Sequence, residues 1–318
     1  PRGDVVQHVY SLADAGGITV VEVTNESTLP AAIAFGRRDV LTERPIVDVP
    51  IEGIELPAGA FALPLGHQAS FRIGIPHVGC GANAPLPAGL APVAQVARGW
   101  LAITDRASRF ALPDGELGAT LAAAVTAERC ELALGAIPAD DDAAGYAVAL
   151  GELVRMGESP DPWLPELVDA VERLGARASW ESDIALAAAG RVLAVAGESR
   201  ALRDLHRIVA RRTPSRRPDR PPAGRLSIAW LEAGLAVDGA LLPDGFPAEW
   251  LGQSIEAYGV PTGPGSAVSY AVRWHGPRPA VLWEQTGGPV ELTAPVVAPA
   301  WRTRDATGEA LWPEPATN

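Results

Sequence analysis

The sequence predicts an α+β multidomain protein with an N-terminal β-sandwich, central antiparallel helical hairpins and a C-terminal β-sandwich. Three observations carry this expectation. Residues 1–104 hold short β-branched runs broken every few positions by Gly or Pro, as strands joined by turns require. From about Asp114 to Arg212, apolar residues recur at helical spacing. Beyond residue 224 the alternation of strands returns.

In chain order, Asp4–Leu12 and Ile18–Thr24 form a hairpin across the Ala15-Gly16-Gly17 turn, followed by a strand at Ala31–Phe35. Gln68–Ile75 alternates with period two, as a half-buried strand does. Cys80–Gly99 reads as a surface loop leading to a last strand at Gly99–Thr104. Leu117, Leu121, Ala124 and Val125 then mark a first helix. A second helix begins at Asp140-Asp141-Asp142, and a third at Pro165, a residue welcome in a first turn. The fourth covers Trp180–Ala196 and stops at Gly197, with Ile184, Leu186, Val192, Leu193 and Val195 expected on buried faces. The fifth covers Ser199–Arg211, and five short helices with tight turns suggest antiparallel hairpins. Arg211–Pro222, polar and proline-rich, reads as a solvated linker. Val268–Trp274 and Ala280–Glu284 make a hairpin around His275–Pro279, with further strands at Val290–Thr293 and Ala310–Trp312. The expected domains are therefore a β-sandwich over 1–104, helices over 105–212, a linker over 213–223 and a β domain over 224–318.

Composition narrows the function. The chain has 318 residues, and 47% hydrophobic against 20% charged content rules out a disordered protein. No apolar run reaches the ~20 residues of a membrane span. With 26 basic and 38 acidic residues the net charge is −12, which argues against a nucleic-acid partner. Every basic residue is arginine, so Schiff-base lysine chemistry is excluded within this chain. Cys80 and Cys130 fit neither a disulfide framework nor a zinc site. They read as two thiols, although one bridge between them is sterically open, and the expected location is cytoplasmic. The five histidines are scattered, so no metal and no cofactor is expected.

Two features can carry chemistry. Nine Trp residues outnumber five Phe and four Tyr, and six of the nine (Trp230, Trp250, Trp274, Trp283, Trp301 and Trp312) fall after residue 224. Indole faces stack on sugar rings, so Trp274 and Trp283 in the alternating strands, and Trp180 at a helix start, are candidate carbohydrate-binding residues; filling a core is their other role. A glycosidase needs two carboxylates ~5–10 Å apart. The candidate catalytic pair is Glu181 and Asp183, in Trp180-Glu181-Ser182-Asp183. Acidic residues in a first helical turn also complement the helix dipole with no substrate at all.

The runs Asp4–Tyr10, Gly17–Ser27 and Leu29–Phe35 resemble the N-terminal β-sandwich of glucoamylase-like and glycogen-debranching-like glycosidases. The stretch Trp180–Glu198 is similar to one helical hairpin of the toroid that follows the sandwich in those families. The resemblance implies a carbohydrate-active protein acting on or binding an α-glucan-type oligosaccharide. A closed toroid takes about twelve helices of roughly 11–12 residues, whereas this chain offers five, so a complete toroid cannot form. The other expectation is a non-catalytic scaffold that holds a protein partner through sandwich edges and the helical layer.

Overall fold

A computed structural model describes residues 5–13, 16–46, 55–79, 84–115, 118–139 and 141–315. The protein is mixed α+β, with seven α-helices and several largely antiparallel sheets among the described residues, none of them closed. It divides into two compact units, Pro1–Gly99 and Trp100–Asn318.

In the first unit, β1 (Val5–Leu12) pairs antiparallel with β2 (Ile18–Asn25) from Val5↔Asn25 to Leu12↔Ile18. Short strands β3 (Ala31–Phe35), β4 (Leu41–Thr42) and β5 (Phe61–Leu65) follow, then β6 (Ser70–Pro76). The larger sheet runs β1-β2-β6-β4, and β3 and β5 make a separate pair. Side chains alternate along a strand, so β2 faces two cores. Val21 and Val23 join Phe71, Ile73 and the β5 residues Phe61, Leu63 and Leu65. Ile18 and Val20 join Tyr10, Leu41 and Leu90 on the other side. The predicted hairpin turn uses Gly16 and Gly17 at φ +83° and +98°, which L side chains rarely adopt. Ala15 and Asp4 lie outside the described residues.

The division between the units falls inside α1 (Val93–Thr104). This helix overturns both the loop expected up to Gly99 and the strand expected at Gly99–Thr104. Pro92 has its φ preset for a helix start, and its carbonyl accepts from the Gln95 and Val96 N–H groups. The Ala- and Leu-containing sequence then propagates.

The second unit continues with β7 (Arg109–Ala111), α2 (Ala119–Ala133), α3 (Ala143–Met156), α4 (Leu164–Gly175), α5 (Trp180–Val195), α6 (Ser199–Ala210) and α7 (Leu226–Leu235). Leu117, Asp140 and Cys80, named above, lie outside the described residues. Asp142 caps α3 by accepting from the Gly145 N–H at 3.0 Å, and Ser179 caps α5 by accepting from the Ser182 N–H at 3.2 Å. Helix α3 is buried along nearly its whole length. A side chain at Gly151 would sit 3.1 Å from the Ala188 Cβ, so the α3–α5 crossing depends on small residues. Of the α5 positions expected inside, Leu186, Val192 and Leu193 are buried, Ile184 is half-buried, and Val195 is 63% exposed. Val195 is the last residue of the helix, where the packed face has ended.

Strands β8 (Ala236–Val237), β9 (Ala240–Leu241), β10 (Ile255–Gly263), β11 (Ser266–His275), β12 (Arg278–Gly287), β13 (Leu292–Ala294), β14 (Ala298–Thr303) and β15 (Thr307–Leu311) complete the unit. They form one sheet ordered β15-β12-β11-β10-β7 and another ordered β14-β13-β9-β8. The predicted hairpin is β11–β12, tighter than expected: His275 pairs with Arg278 around Gly276-Pro277, with Gly276 at φ +60°.

Two expectations about this half change. Helix α7 stands where strands were expected, because its residues are apolar nearly all round and leave no amphipathic stripe to read. The helices and C-terminal sheets share one core, with Val148, Leu150, Leu186 and Ile228 joined by Val268, Tyr270 and Val281. They therefore fall in one unit rather than on either side of a linker at 213–223.

Candidate functional site

Residues 211–223 form neither helix nor strand, as the prolines dictate, yet they are pinned to the second unit by polar contacts. Arg212 donates to Asp183 Oδ1 through Nε at 3.0 Å and Nη2 at 2.8 Å, and to the Gly175 carbonyl at 3.2 Å. The Ser215 N–H donates to Asp183 Oδ2 at 2.8 Å. Farther along, the Arg217 guanidinium lies over the Trp230 ring at 4.1 Å and donates to Asp244 at 3.0 Å and to the Trp230 carbonyl at 3.1 Å. The Trp230 indole N–H donates back to the Pro218 carbonyl at 2.7 Å. The segment is a strap, with anchors that a solvated linker lacks.

Beside Arg217 of the strap is a cleft of about 220 Å³, lined by Arg217, Trp230, Gly234, Asp244, Phe246 and Trp250 among others. Arg217 is wedged there: a Cβ on Gly234 would come within 2.7 Å of its guanidinium. Trp230 and Trp250 are buried walls, and the Trp250 indole nitrogen is buried with no hydrogen-bond partner among the described residues. Phe246 is half-buried, and its ring packs 5.5 Å from that of Trp274 at a 48° tilt. Trp274 donates its indole N–H to the Gln253 carbonyl at 2.7 Å, which fixes the ring while part of it stays open.

The sequence-predicted residues separate. Trp180 is 8% exposed and Trp283 is 7% exposed. Neither leaves an indole face open for a sugar, and Trp283 instead joins an edge-to-face aromatic cluster with Trp301 and Trp312. Of the predicted indoles Trp274 stays half-exposed, packed against Phe246, which lines the cleft. Glu181 is exposed on α5. Burial by itself would raise the Asp183 pKa, but the Ser215 N–H and the Arg212 guanidinium hold it below the usual carboxylate range. With both oxygens engaged and the group ionised, Asp183 cannot serve as a general acid; it anchors the strap. Trp230 and Trp250 were visible as tryptophans, but their role depends on α7 and the strap, which the alternation did not reveal.

A second cluster of charges is fully internal. Arg129 donates to Glu152 at 2.7 Å and to Glu232 at 3.0 Å, while Arg155 reaches Glu152 at 2.6 Å and Glu232 at 2.8 Å. Ser108 donates its hydroxyl to Glu232 at 2.7 Å and accepts from Arg129 at the same distance, and the Gly259 carbonyl accepts from Arg155 at 3.0 Å. The network joins α2, α3 and α7 to the β10 strand. Burial would raise the Glu152 pKa, but Arg155, Arg129 and Arg191 together pull it down to about 2. These carboxylates are neutralised in place, so the network is a structural hub and not an acid–base pair. No group of three or more His, Cys, Asp or Glu side chains among the described residues could hold a metal ion. No helix among them is long and apolar enough to cross a membrane. No protein-family model, curated protein or solved structure matches the chain.

Proposed function

We propose that the chain is a carbohydrate-binding protein of glycoside-hydrolase-like architecture. It takes one unit of an α-glucan-type sugar at the cleft beside Phe246 and Trp274. The observation that carries this reading is the half-open Phe246–Trp274 pair set against a cleft with an Asp244–Arg217 rim. Aromatic faces take the apolar face of a sugar ring, while a carboxylate and a guanidinium accept from and donate to its hydroxyls. At about 220 Å³ the cleft is smaller than the roughly 300–1,000 Å³ of drug-sized sites, which suits a single ring. Binding without hydrolysis is part of the reading, because among the described residues Asp244 is the one acidic residue lining the cleft and glycoside cleavage takes a pair. On this reading the first unit is a β-sandwich, the helices are antiparallel hairpins and the C-terminal sheets make a second sandwich, in a shortened, cytoplasmic relative of the glucoamylase-like layout.

Titrating glucose, maltose and longer α-1,4-glucans while following Trp fluorescence tests the proposal. The expected result is a saturable change that Trp274→Ala weakens about three- to tenfold, the value of one aromatic contact. Absence of any response at millimolar glycan overturns it. In that case sizing of the protein with and without lysate decides whether it holds a protein partner.

A further inference from the structure

Helices α4 and α6 both pack on α5 and leave an apolar groove between them. Its volume is about 240 Å³, and Leu167, Val168 and Val171 of α4 line it together with Leu205 and Ile208 of α6 and Leu193 of α5. Gly175, the last residue of α4, lies beside Ile208, where a Cβ would sit 3.4 Å from that side chain. Leu167 and Ala201, near the two starts, share the same groove. The helices therefore run in one direction, with Asp169 and Glu172 level with Arg203 and Arg207 to within one turn.

The two ridges that flank the groove carry opposite charge. On α6, Arg200, Arg203 and Arg207 follow i, i+3, i+7 spacing, with Arg211 at the cap. All four are exposed, on the side away from the buried Leu205. Arg200, Arg203 and Arg211 form no ion pair among the described residues, and Arg207 pairs with Asp204 of its own helix. On α4, Asp169 and Glu172 are exposed three positions apart and form no ion pair among those residues. Beside them Val168, which lines the groove, is 46% exposed.

An apolar groove between an acidic and a basic ridge is complementary to itself. A two-fold rotation about the length of the groove sets each α4 over the α6 of a second copy without changing height along the helices. Asp169 and Glu172 of one copy then meet Arg203 and Arg207 of the other, and the same pairs form again across the axis. The rotation also covers Val168 in both copies.

We propose that the α4–α6 face is the isologous interface of a homodimer, held by these reciprocal ion pairs around the apolar groove. Each helix has 12 residues, a length of about 18 Å. The patch is thus smaller than a standard interface, and the dimer is a weak one that salt dissociates.

Sedimentation equilibrium of the full chain tests the proposal, with protein up to about 0.5 mM, the range of weak pairs. At low salt the wild type should populate a dimer, and about 0.5 M salt should return it to monomer. Two charge-swap variants carry the assignment of the face. Arg203→Glu with Arg207→Glu makes both ridges acidic, and Asp169→Arg with Glu172→Arg makes both basic. Each alone should weaken dimerisation about tenfold or more. Mixed, they should form a one-to-one heterodimer, because each acidic ridge again meets a basic one. All four side chains are exposed, and circular dichroism confirms that the variants fold. The wild-type salt series decides the matter without them. A wild type that stays monomeric at every concentration overturns the proposal, and so does a dimer that each swap leaves intact.

Discussion

The second unit uses arginine in two settings. At the hub, Arg129 and Arg155 are bound to Glu152 and Glu232 with side chains between 1% and 12% exposed. On the strap, Arg212 and Arg217 pair with Asp183 and Asp244 near the surface, and Arg216 pairs with Asp219 in open solvent. The pairings are chemically alike; their consequences differ because water competes for the strap groups and not for the hub groups. Removing one partner inside the hub strands a charge in low dielectric, whereas the same change on the strap returns a charge to water.

The sharpest way to break this comparison is Glu152→Ala, which leaves Arg129 and Arg155 short of a counter-charge. It should cost about 3–5 kcal/mol, measured by urea denaturation. The pH dependence follows from the same residue. Its folded pKa lies below the ordinary value of 4.5, so its stabilisation is full above that ordinary value. It is lost as pH falls toward about 2. The wild type should therefore lose stability steeply across that acid window, and Glu152→Gln should flatten the profile. A flat wild-type profile would mean that the hub is not carrying its charges as drawn.

Asp183→Asn should have a middle effect of about 1 kcal/mol, since the Ser215 N–H keeps an acceptor while Arg212 loses its ion pair. It should also speed tryptic cleavage of the strap. A loss as large as that at Glu152 would place the strap among the core elements and dissolve the contrast.

Asp219→Asn marks the lower end. Its side chain is 84% exposed and that of Arg216 is 88% exposed, so stability should move by no more than about 0.5 kcal/mol. Trypsin should cut after Arg216, which is open and, unlike Arg217 and Arg220, is not followed by proline. The nicked halves should still co-elute on sizing, because Leu186 and Ile228, on opposite sides of the cut, share one core. Separation of the fragments would show two independently folded parts.

Local patterns were legible where a segment has one dry face and one wet face. The alternation of Gln68–Ile75 and of Val268–Trp274 reappears as β6 and β11, and α5 ends just before Gly197, as a stop should have it. The pattern failed where burial is all-round. Helix α7 has no polar stripe, and α1 was masked by the Gly, Pro and Ala content before it. The surroundings of the candidate residues were illegible for a related reason: spacing shows that Trp180, Trp283 and Asp183 exist but not what covers them. Trp283 is sealed by Trp301, and Asp183 is claimed by Arg212 and Ser215 from some 30 residues away in sequence.

By itself the sequence determined the acidic balance, the all-arginine cation set, the β–α–β order of the elements and the caps and turns that bound them. Each of these depends on neighbours within a few residues. Tertiary structure alone decided that the strap is anchored, that helices and C-terminal sheets share one core, and that Arg129 and Arg155 meet Glu152 and Glu232 in a buried hub. Those facts depend on which distant side chains exclude water from one another. A charge that is cheap in solution becomes costly once the chain closes around it.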